Sequence, residues 1–419
     1  MFETRENESI EGMQDKEFFA MALGLKTPWR VAEVEMDMKE QRVTIIVECK
    51  CGTVWAEGGE QLYVHGYEER RWRHLDTMQF ETIIQARVPR IRKPDGSTEM
   101  VSVPWSQPRS RWTLMFEGFA IRVLQNSRSI SQACELLRLD WSSAHRIMER
   151  AVDRGLERRK VENIRYIGMD EKSFGRGQDY ISTLVDLNKD APRVLEVTAG
   201  RDICAAEQLL NSLPESEKES VEAVAIDMSA AYQAAVRIVL PKADVVHDRF
   251  HVSKLLGEAV DKVRRGEHKQ LMKKGDKRLL GTRYIWLFHP NELEPERLEQ
   301  LNELFEVEHL QTARAYYHRL RFMDFWSQPD IAEGQRFFAR WYHEAMRSCL
   351  DPVIKVANTL QVHLPGILTY FRHRITNAMS ECFNSTIQAL KASARGFRNF
   401  DNYRARILFF LGRLDLQPR

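Results

Sequence analysis

The spacing of apolar and polar positions divides the chain into stretches of different period. Between Arg30 and Val103 the period is two, and Arg42-Val-Thr-Ile-Ile-Val47 and Phe80-Glu-Thr-Ile-Ile-Gln-Ala-Arg-Val88 read as strands. The residues before Arg30 are too mixed to assign. Pro104-Trp-Ser-Gln-Pro-Arg-Ser110, with two prolines and two serines, reads as a linker. Helical spacing follows from Trp112 to Leu124. Ser129 and Gln132 have the spacing of a capping box and start a second helix. After the tight connection Arg138-Leu-Asp140, Asp140 caps a third helix from Trp141 to about Val152. Two short helices joined by about three residues make a helix-turn-helix, although any small helical hairpin has the same spacing. Its second helix would present Ser143, His145, Arg146 and Arg150, whose hydroxyl, imidazole and guanidinium groups suit base edges and phosphates.

From Asn163 to Gly266 strand and helix patterns alternate. Ile164–Asp170, Tyr180–Leu187 and Arg193–Thr198 read as three successive strands. A helix over Asp202–Leu213, a strand over Val221–Asp227, a helix over Ala230–Leu240, a strand around Asp244–His247 and a helix over Ser253–Arg265 follow. Three antiparallel strands and then αβαβ predict a ribonuclease-H-like α+β domain. The first strand would lie centrally beside the fourth, so that Asp170 and Asp227 end neighbouring strands. From Glu267 to Arg374 strand signals vanish. Arg297–Phe305, Gln311–Phe325 and Ile331–Arg347 have helical periodicity. The dense aromatics there, among them Trp286, Tyr316, Phe322 and Trp341, read as the core of an all-helical insertion rather than a base-stacking surface. The last helix starts at Thr376 or Asn377. Met379, Phe383, Ile387 and Leu390 share a face that would dock on the sheet, and Glu381, Asn384, Gln388 and Lys391 share another. The chain thus divides into an N-terminal β module (1–104), a helix-turn-helix region (105–160), a core in two parts (161–266 and 375–419) and the helical insertion between them (267–374).

Composition narrows the class. The 419 residues are 43% hydrophobic and 29% charged, an ordinary soluble balance. No apolar run reaches membrane-span length, and the polar N-terminus lacks the apolar core of a signal peptide, so a cytoplasmic protein is expected. The net charge of +2 does not itself argue for nucleic acid. Local clusters do better: Arg70, Arg71 and Arg73; Arg87, Arg90, Arg92 and Lys93; Lys391, Arg395, Arg398, Arg404 and Arg406. Lys391, Arg395 and Arg398 are taken as DNA contacts. Of the six cysteines, Cys134, Cys204, Cys349 and Cys382 are scattered singly, which suits a reducing compartment rather than a disulfide framework. Cys49-Lys-Cys51 is half of a zinc ribbon, but the metal needs four ligands and Arg92-Lys-Pro-Asp-Gly96 supplies no second pair. His65 and His74 could complete a site. The expectation is a ribbon-like β fold that has lost its zinc.

A lone Asp after an apolar run is more often a turn-former than a ligand, and Glu in a first helical turn suits the helix dipole. Asp170, Asp227 and Glu381 together suggest chemistry. Mg²⁺ (or Mn²⁺) is a hard, oxygen-seeking ion, and two such ions about 4 Å apart can clamp both oxygens of an in-line phosphoryl displacement. Asp170 is assigned the bridging position, Asp227 one ion and Glu381 the other. Asp248 ranks below them, because it can pair with Arg249 or cap the helix that follows.

Several tracts are long enough to be compared with known families. They are Ile167-Gly-Met-Asp-Glu-Lys-Ser173, Ile226-Asp-Met-Ser-Ala-Ala-Tyr232, Asp248-Arg-Phe-His-Val252, and Thr376-Asn-Ala-Met-Ser-Glu381 continuing through Ala394-Arg-Gly-Phe-Arg-Asn-Phe400 to Arg404. Val103-Pro-Trp105, Arg111-Trp-Thr113, His65-Gly-Tyr67 and Arg71-Trp-Arg-His-Leu75 precede them. In these tracts, in order from about residue 45 to 410, the chain resembles the ISL-three type of bacterial insertion-sequence transposases. The resemblance implies cut-and-paste transposition, binding to terminal inverted repeats and target DNA, Mg²⁺ dependence, and an acidic triad at Asp170, Asp227 and Glu381. Because two ends must be brought together, a homodimer or larger assembly on DNA is expected, associated with the nucleoid when bound. Two departures are visible: the second cysteine pair of the family's ribbon is absent, and Cys382 stands where the family usually has glycine. A DNA-binding repressor derived from a transposase, without catalysis, is the alternative.

Overall fold

The computed structural model describes residues 15–50, 52, 55–57, 60–93, 95–175 and 179–419. Cys51 lies outside them. The chain folds as two compact units, the first ending at Arg158 and including Asp415–Arg419, the second spanning Arg159–Leu414. The whole is mixed α/β.

The first described element of the first unit, helix α1 (Asp15–Ala22), lies where the sequence pattern is too mixed to assign, and strand β1 (Trp29–Asp37) opens the stretch of period two. Strands β2 (Arg42–Cys49), β3 (Trp55–Glu57), β4 (Glu60–Thr77), β5 (Phe80–Arg92) and β6 (Thr98–Met100) complete a sheet of order β1-β2-β5-β4-β3, with β6 beside β5. Its core is Val43, Ile45, Ile84, Val88 and three indoles: Trp105 meets Trp29 and Trp72 edge-on, with centroids 5.0 and 5.4 Å away. Trp105 belongs to the stretch read as a linker, and that reading is corrected here. Trp105 is buried in the sheet's core, and the Ser106 and Ser110 hydroxyls donate to the Trp112 carbonyl at 2.9 and 3.0 Å. Backbone bonds from Arg73 N–H to Arg111 O and from Thr113 N–H to Arg73 O tie β4 to the helices that follow.

Those helices are α2 (Leu114–Asn126), α3 (Ile130–Leu137) and α4 (Trp141–Glu157). The expected caps are present: Ser129 Oγ accepts from Gln132 N–H at 3.2 Å, and Asp140 Oδ1 from Ser143 N–H at 2.9 Å. Arg138, at φ 51°, makes the turn between them. Under the helices lies a buried ion pair, Glu117 with Arg154. Arg154 also donates to the Leu416 carbonyl, and Arg158 donates to the Gln417 carbonyl at 2.7 Å.

The second unit holds a five-stranded sheet. Strands β7 (Tyr166–Ser173), β8 (Tyr180–Asp186) and β9 (Arg193–Ala199) are antiparallel neighbours. Helices α5 (Ile203–Asn211) and α6 (Glu215–Ser220) lead to β10 (Ala223–Ile226), and α7 (Ala230–Val239) leads to β11 (Asp244–His247). The order β11-β10-β7-β8-β9 makes β7 central. A short helix α6 was not foreseen. Asp170 does not end its strand, as the apolar run suggested. The ladder with β8 continues through Ser173, whereas β10 pairs β7 only as far as Gly168. Asp170 therefore sits within β7, just beyond the point where one neighbouring strand leaves.

Helix α8 (Arg249–Lys273) follows β11 directly. Helices α9 (Pro295–Phe305), α10 (Gln311–Met323), α11 (Ile331–Met346), α12 (Asp351–Val362), α13 (Leu364–Leu368) and α14 (Tyr370–His373) follow, with no strand before the last two helices. Trp286, Tyr316, Phe322, Phe325, Phe338 and Trp341 form their core, while Phe288 and Tyr317 are exposed. Helices α15 (Ala378–Ser393) and α16 (Phe400–Leu411) close the unit. No helix among the described residues is long and apolar enough to cross a membrane.

The docking face of α15 differs from the expectation. Its buried stripe is Asn377 at the N-cap, Ser380, Asn384 and Ile387; Met379, Phe383 and Leu390 are only half-buried. Polar side chains win because they have specific partners on the sheet: Asn377 Nδ2 donates to the Met169 carbonyl at 3.3 Å, and Asn384 Nδ2 to Asp170 Oδ2 at 2.7 Å.

Candidate active site

Gly168 lets this docking happen. A Cβ there would lie 2.6 Å from both Asn377 Oδ1 and Ser380 Oγ, so the first turn of α15 rests on bare backbone. Gly168→Ala is expected to lift α15 and lower by about a hundredfold the strand cleavage that the family resemblance implies, the order of loss that a displacement of about 1 Å can cause. Cleavage assays beside an unfolding curve check this; an alanine variant that cuts normally would show that the close approach is dispensable.

The helix seated in this way brings Glu381 and Asn384 to β7. Asp170 is buried and accepts from Asn384 and from its neighbour Glu171 N–H (2.8 Å). Asp227, just past β10, accepts from Ser229 N–H at 2.8 Å, and its own carbonyl accepts from His247 Nδ1 at 3.0 Å. Burial lowers the His247 pKa to about 4, so its ring is a neutral donor. Asp248, between β11 and α8, is 2% exposed. Its Oδ1 accepts from Asn377 N–H at 3.3 Å, and His251 Nδ1 lies 3.5 Å from Oδ2. Ligand atoms of Asp248, His251 and Glu381 lie within 4.8 Å of one another, the one such group of three among the described residues. Of the expected triad only Glu381 belongs to that group; Asp170 and Asp227 stand outside it, yet both charges act on His251, and that of Asp170 on Glu381.

The sequence reading placed Asp248 below the triad. It does cap the position before α8, but without a side-chain cap bond, and it has no ion pair with Arg249 among the contacts seen. The signal that could have raised it was Asp248-Arg-Phe-His251 itself. An acid and an imidazole three apart at a helix start share one face. Asn377 and Asn384 were visible only as polar positions on a helix.

Electrostatics shows the cost of the gathering. Burial, with Asp227 and Asp248 adding to it, pushes Asp170 from 3.8 up to about 6. Burial and then Asp248 and Asp170 raise Glu381. The Asp248 contact raises His251. Two buried carboxylate oxygens, Asp248 Oδ2 and Glu381 Oε1, have no hydrogen-bond partner. A hard cation fits such an oxygen-rich, under-satisfied set.

A pH effect follows. The folded-state pKa of Asp170 lies above its ordinary 3.8, so the folded protein binds more protons between about pH 4 and 6. Metal-free protein should lose the Asp170 contribution to stability as pH rises through that window. In EDTA, the stability gap between Asp170→Asn and wild type should widen in the variant's favour from pH 4 to 6. A constant gap would contradict the assignment.

The expected DNA contacts divide. On α4, Arg146 is exposed. His145 is buried, stacked on Trp141 at 5.1 Å and 3.1 Å from Glu149. Arg150 turns inward to Gln107 Oε1 (3.1 Å) and the Pro108 carbonyl, and the Ser143 hydroxyl donates to Asp140 (2.6 Å). In the C-terminal cluster Arg395 and Arg398 are exposed, and Lys391 donates to the Ser173 carbonyl at 3.2 Å. Arg404 is doubly bonded to Glu196 at 2.6 Å, and Arg406 is buried with its guanidinium 5.5 Å from the Phe397 ring centre. In the β module, His74 is spent on Thr113 Oγ1 at 2.9 Å, and burial holds its pKa near 4.

Comparison with known proteins supplies the frame for this geometry. Residues 167–407 match a DDE family of the ISL3 type described as "Transposase". Residues 101–152 match the helix-turn-helix domain of transposase family ISL3. Residues 58–92 match the zinc-finger of transposase IS204/IS1001/IS1096/IS1165, although that stretch contains no cysteine here. The transposase for insertion sequence element IS1001 of Bordetella parapertussis is 26% identical over 343 residues, covering 80% of this chain and 83% of its own. The transposase for IS1557 of Mycobacterium tuberculosis is 25% identical over 362 residues, 80% of each chain. With its larger part matched by one family and its helix-turn-helix by the same family's DNA-binding domain, this chain belongs to the ISL3 family of insertion-sequence transposases.

Proposed function

We propose that the second unit is a ribonuclease-H-like nuclease and strand-transfer core in which Asp170, Asp227, Asp248 and Glu381 hold divalent cations, Mg²⁺ or Mn²⁺, with residues 267–374 as its all-helical insertion. The observation that carries this is a pair of buried carboxylate oxygens that accept no hydrogen bond, Asp248 Oδ2, which has only His251 Nδ1 at 3.5 Å, and Glu381 Oε1, together with the buried Asp170. The sheet order, with three antiparallel strands and two parallel ones flanking a central β7, supports the core assignment. When bound, two such ions supply an activated nucleophile and stabilisation of the leaving oxygen.

The chain's own residues do the rest. Asn384 orients Asp170 through its amide, leaving Asp170's other lone pairs for a ligand. Asn377 ties Asp248 and the Met169 carbonyl to one helix start. His247 fixes the turn that carries Asp227. Arg146, Arg395 and Arg398 are the exposed cations assigned to phosphate contacts on the terminal repeats and target DNA. Water would be the first nucleophile and a freed 3′-hydroxyl the second, on an assembly of at least two chains. Two carboxylates and an imidazole held within 4.8 Å of one another, with the charges of Asp170 and Asp227 acting on them, favour a metal-using enzyme over a protein that only binds DNA.

The test is metal-dependent nicking of a duplex carrying the inverted repeats that flank the gene. Cleavage is expected in Mn²⁺ or Mg²⁺ and none in EDTA. Tight, specific binding with no cleavage under either cation would replace this reading by that of a repressor.

A further inference from the structure

A cavity of about 520 Å³ lies along one face of α8, within the range of pockets that hold small ligands. Phe250, Lys254, Gly257 and Lys262 line it from the helix, and Arg283 and Leu287 from the segment opposite. Its other charged residues are largely spent: Asp261 pairs with Arg264 and Arg265, and Arg319 donates to the carbonyls of Trp286, Leu287 and Phe288. Lys254, Lys262 and Arg283 are exposed, against one exposed carboxylate, Glu258.

Three features define what fits. The first is continuity with the carboxylates. Lys254 lines the cavity and its charge acts on Glu381, while Asp248 and His251 occupy the start of the same helix. The second is Phe250, whose ring packs edge-on against His251 at 5.8 Å and is 53% exposed. The third is Gly257. Glycine weakens a helix interior, so packing should demand it, yet a Cβ there would meet only Leu287 Cδ2, at 3.8 Å. What glycine supplies is an open floor.

We propose that this groove holds an unpaired stretch of the DNA strand next to the phosphodiester being cut, with one base stacked on Phe250 and neighbouring phosphates facing Lys254, Lys262 and Arg283. The proposal rests on the strand-cutting reading above. An aromatic face accepts any base, and a row of cations follows a backbone without regard to sequence. Lys254 and Lys262 are eight residues apart on one helix, a span of about 12 Å. That exceeds the distance between adjacent phosphates and suits a run of them better than a single anion. The charge balance suits the polyanion that this family cuts and not an acidic peptide needing hydrogen-bonded side-chain pockets.

The experiment uses the full chain and an end-bearing duplex with 2-aminopurine placed in turn at the nucleotides flanking the cleaved bond. On binding, one position is expected to change fluorescence as its base leaves the duplex and stacks. Phe250→Ala should lose that signal and lower cleavage by about ten- to a hundredfold, the order of one lost stacking contact; Phe250→Trp should restore both. Gly257→Leu, which fills the floor, should behave as Phe250→Ala does, while Gly257→Ala should not. Replacing Lys254, Lys262 and Arg283 together by alanine should flatten the salt dependence of binding. If Phe250→Ala and Gly257→Leu keep both signal and cleavage, with folding confirmed by an unchanged thermal transition, the groove does not carry the strand. Asp170→Ala separates the two readings: it should abolish cleavage and keep the fluorescence change. If it still cuts, the carboxylate assignment fails and the groove is judged on fluorescence alone.

Discussion

Asp248→Asn is expected to lower strand cleavage by about a thousandfold, from the several kcal/mol that a positioned divalent cation contributes to a phosphoryl transition state. The reasoning rests on Asp248's position. It is 2% exposed, one of its oxygens lacks any hydrogen-bond partner, and Glu381 and His251 offer ligand atoms within 4.8 Å. An amide of the same shape removes one negative charge and turns one acceptor into a donor that no ion can use. Metal-free protein should not suffer, because a like charge beside Asp170 and Glu381 has been removed. The two halves of the result are measured separately. Calorimetric titration with Mn²⁺ should show weakened binding, and the unfolding midpoint in EDTA should be unchanged or higher. An Asp248→Asn protein that binds Mn²⁺ and cuts like the wild type would return Asp248 to a purely structural role. Asp170→Ala and Glu381→Gln should show losses of the same order. Asp227→Ala tests whether a carboxylate outside the tight group still holds an ion.

The second large effect is one of stability, in the other unit. Arg154→Met should cost about 3–5 kcal/mol, because it strands Glu117, 0% exposed, without its main partner. Arg150 lies 3.9 Å from the same carboxylate and compensates little at that distance. The expected fall in the unfolding midpoint of this unit is on the order of 10 °C. Combining Arg154→Met with Glu117→Leu should recover most of the loss, since a paired buried charge and an apolar pair are closer in energy than either half-broken state. A double variant as unstable as the single one would mean that the Gln107 and Leu416 contacts of Arg154, not the ion pair, hold the unit together.

What the sequence made legible were features decided locally. Ser129 and Asp140 announced helices because a cap is a contact between residues three apart, and both caps are there. The five strands of the second sheet could be read because their apolar runs are continuous and short. The aromatics of the helical region were read as core, and most of them are. The failures were tertiary. A period-two reading cannot show that β7 outruns β10, so Asp170 was placed at a strand end. A helical wheel assumes that the apolar stripe faces the core. On α15 the docking stripe is turned toward the polar side and keeps only Ile387 of the apolar one, because Asn377 and Asn384 find backbone and carboxylate partners over a glycine. Arg150 and His145 lay on the helix of interest, but an inward partner claimed Arg150, and His145 is buried beside Trp141 and Glu149 of its own helix. The Pro104–Ser110 tract had linker composition and yet supplies Trp105 to a core, since a single indole can outweigh the polarity of its neighbours.

The order of synthesis gives one of these features a consequence for the life of the gene. Glu381 and Asn384, which join the Asp248 and Asp170 carboxylates, and Leu416 and Gln417, which accept from Arg154 and Arg158, are made by the ribosome only after every strand of both sheets. A frameshift between the last strand and Glu381 therefore removes a proposed metal ligand from one unit and two buttresses from the other in a single event. Broken copies of this kind should decay into unstable products instead of persisting as DNA-bound competitors of the intact enzyme.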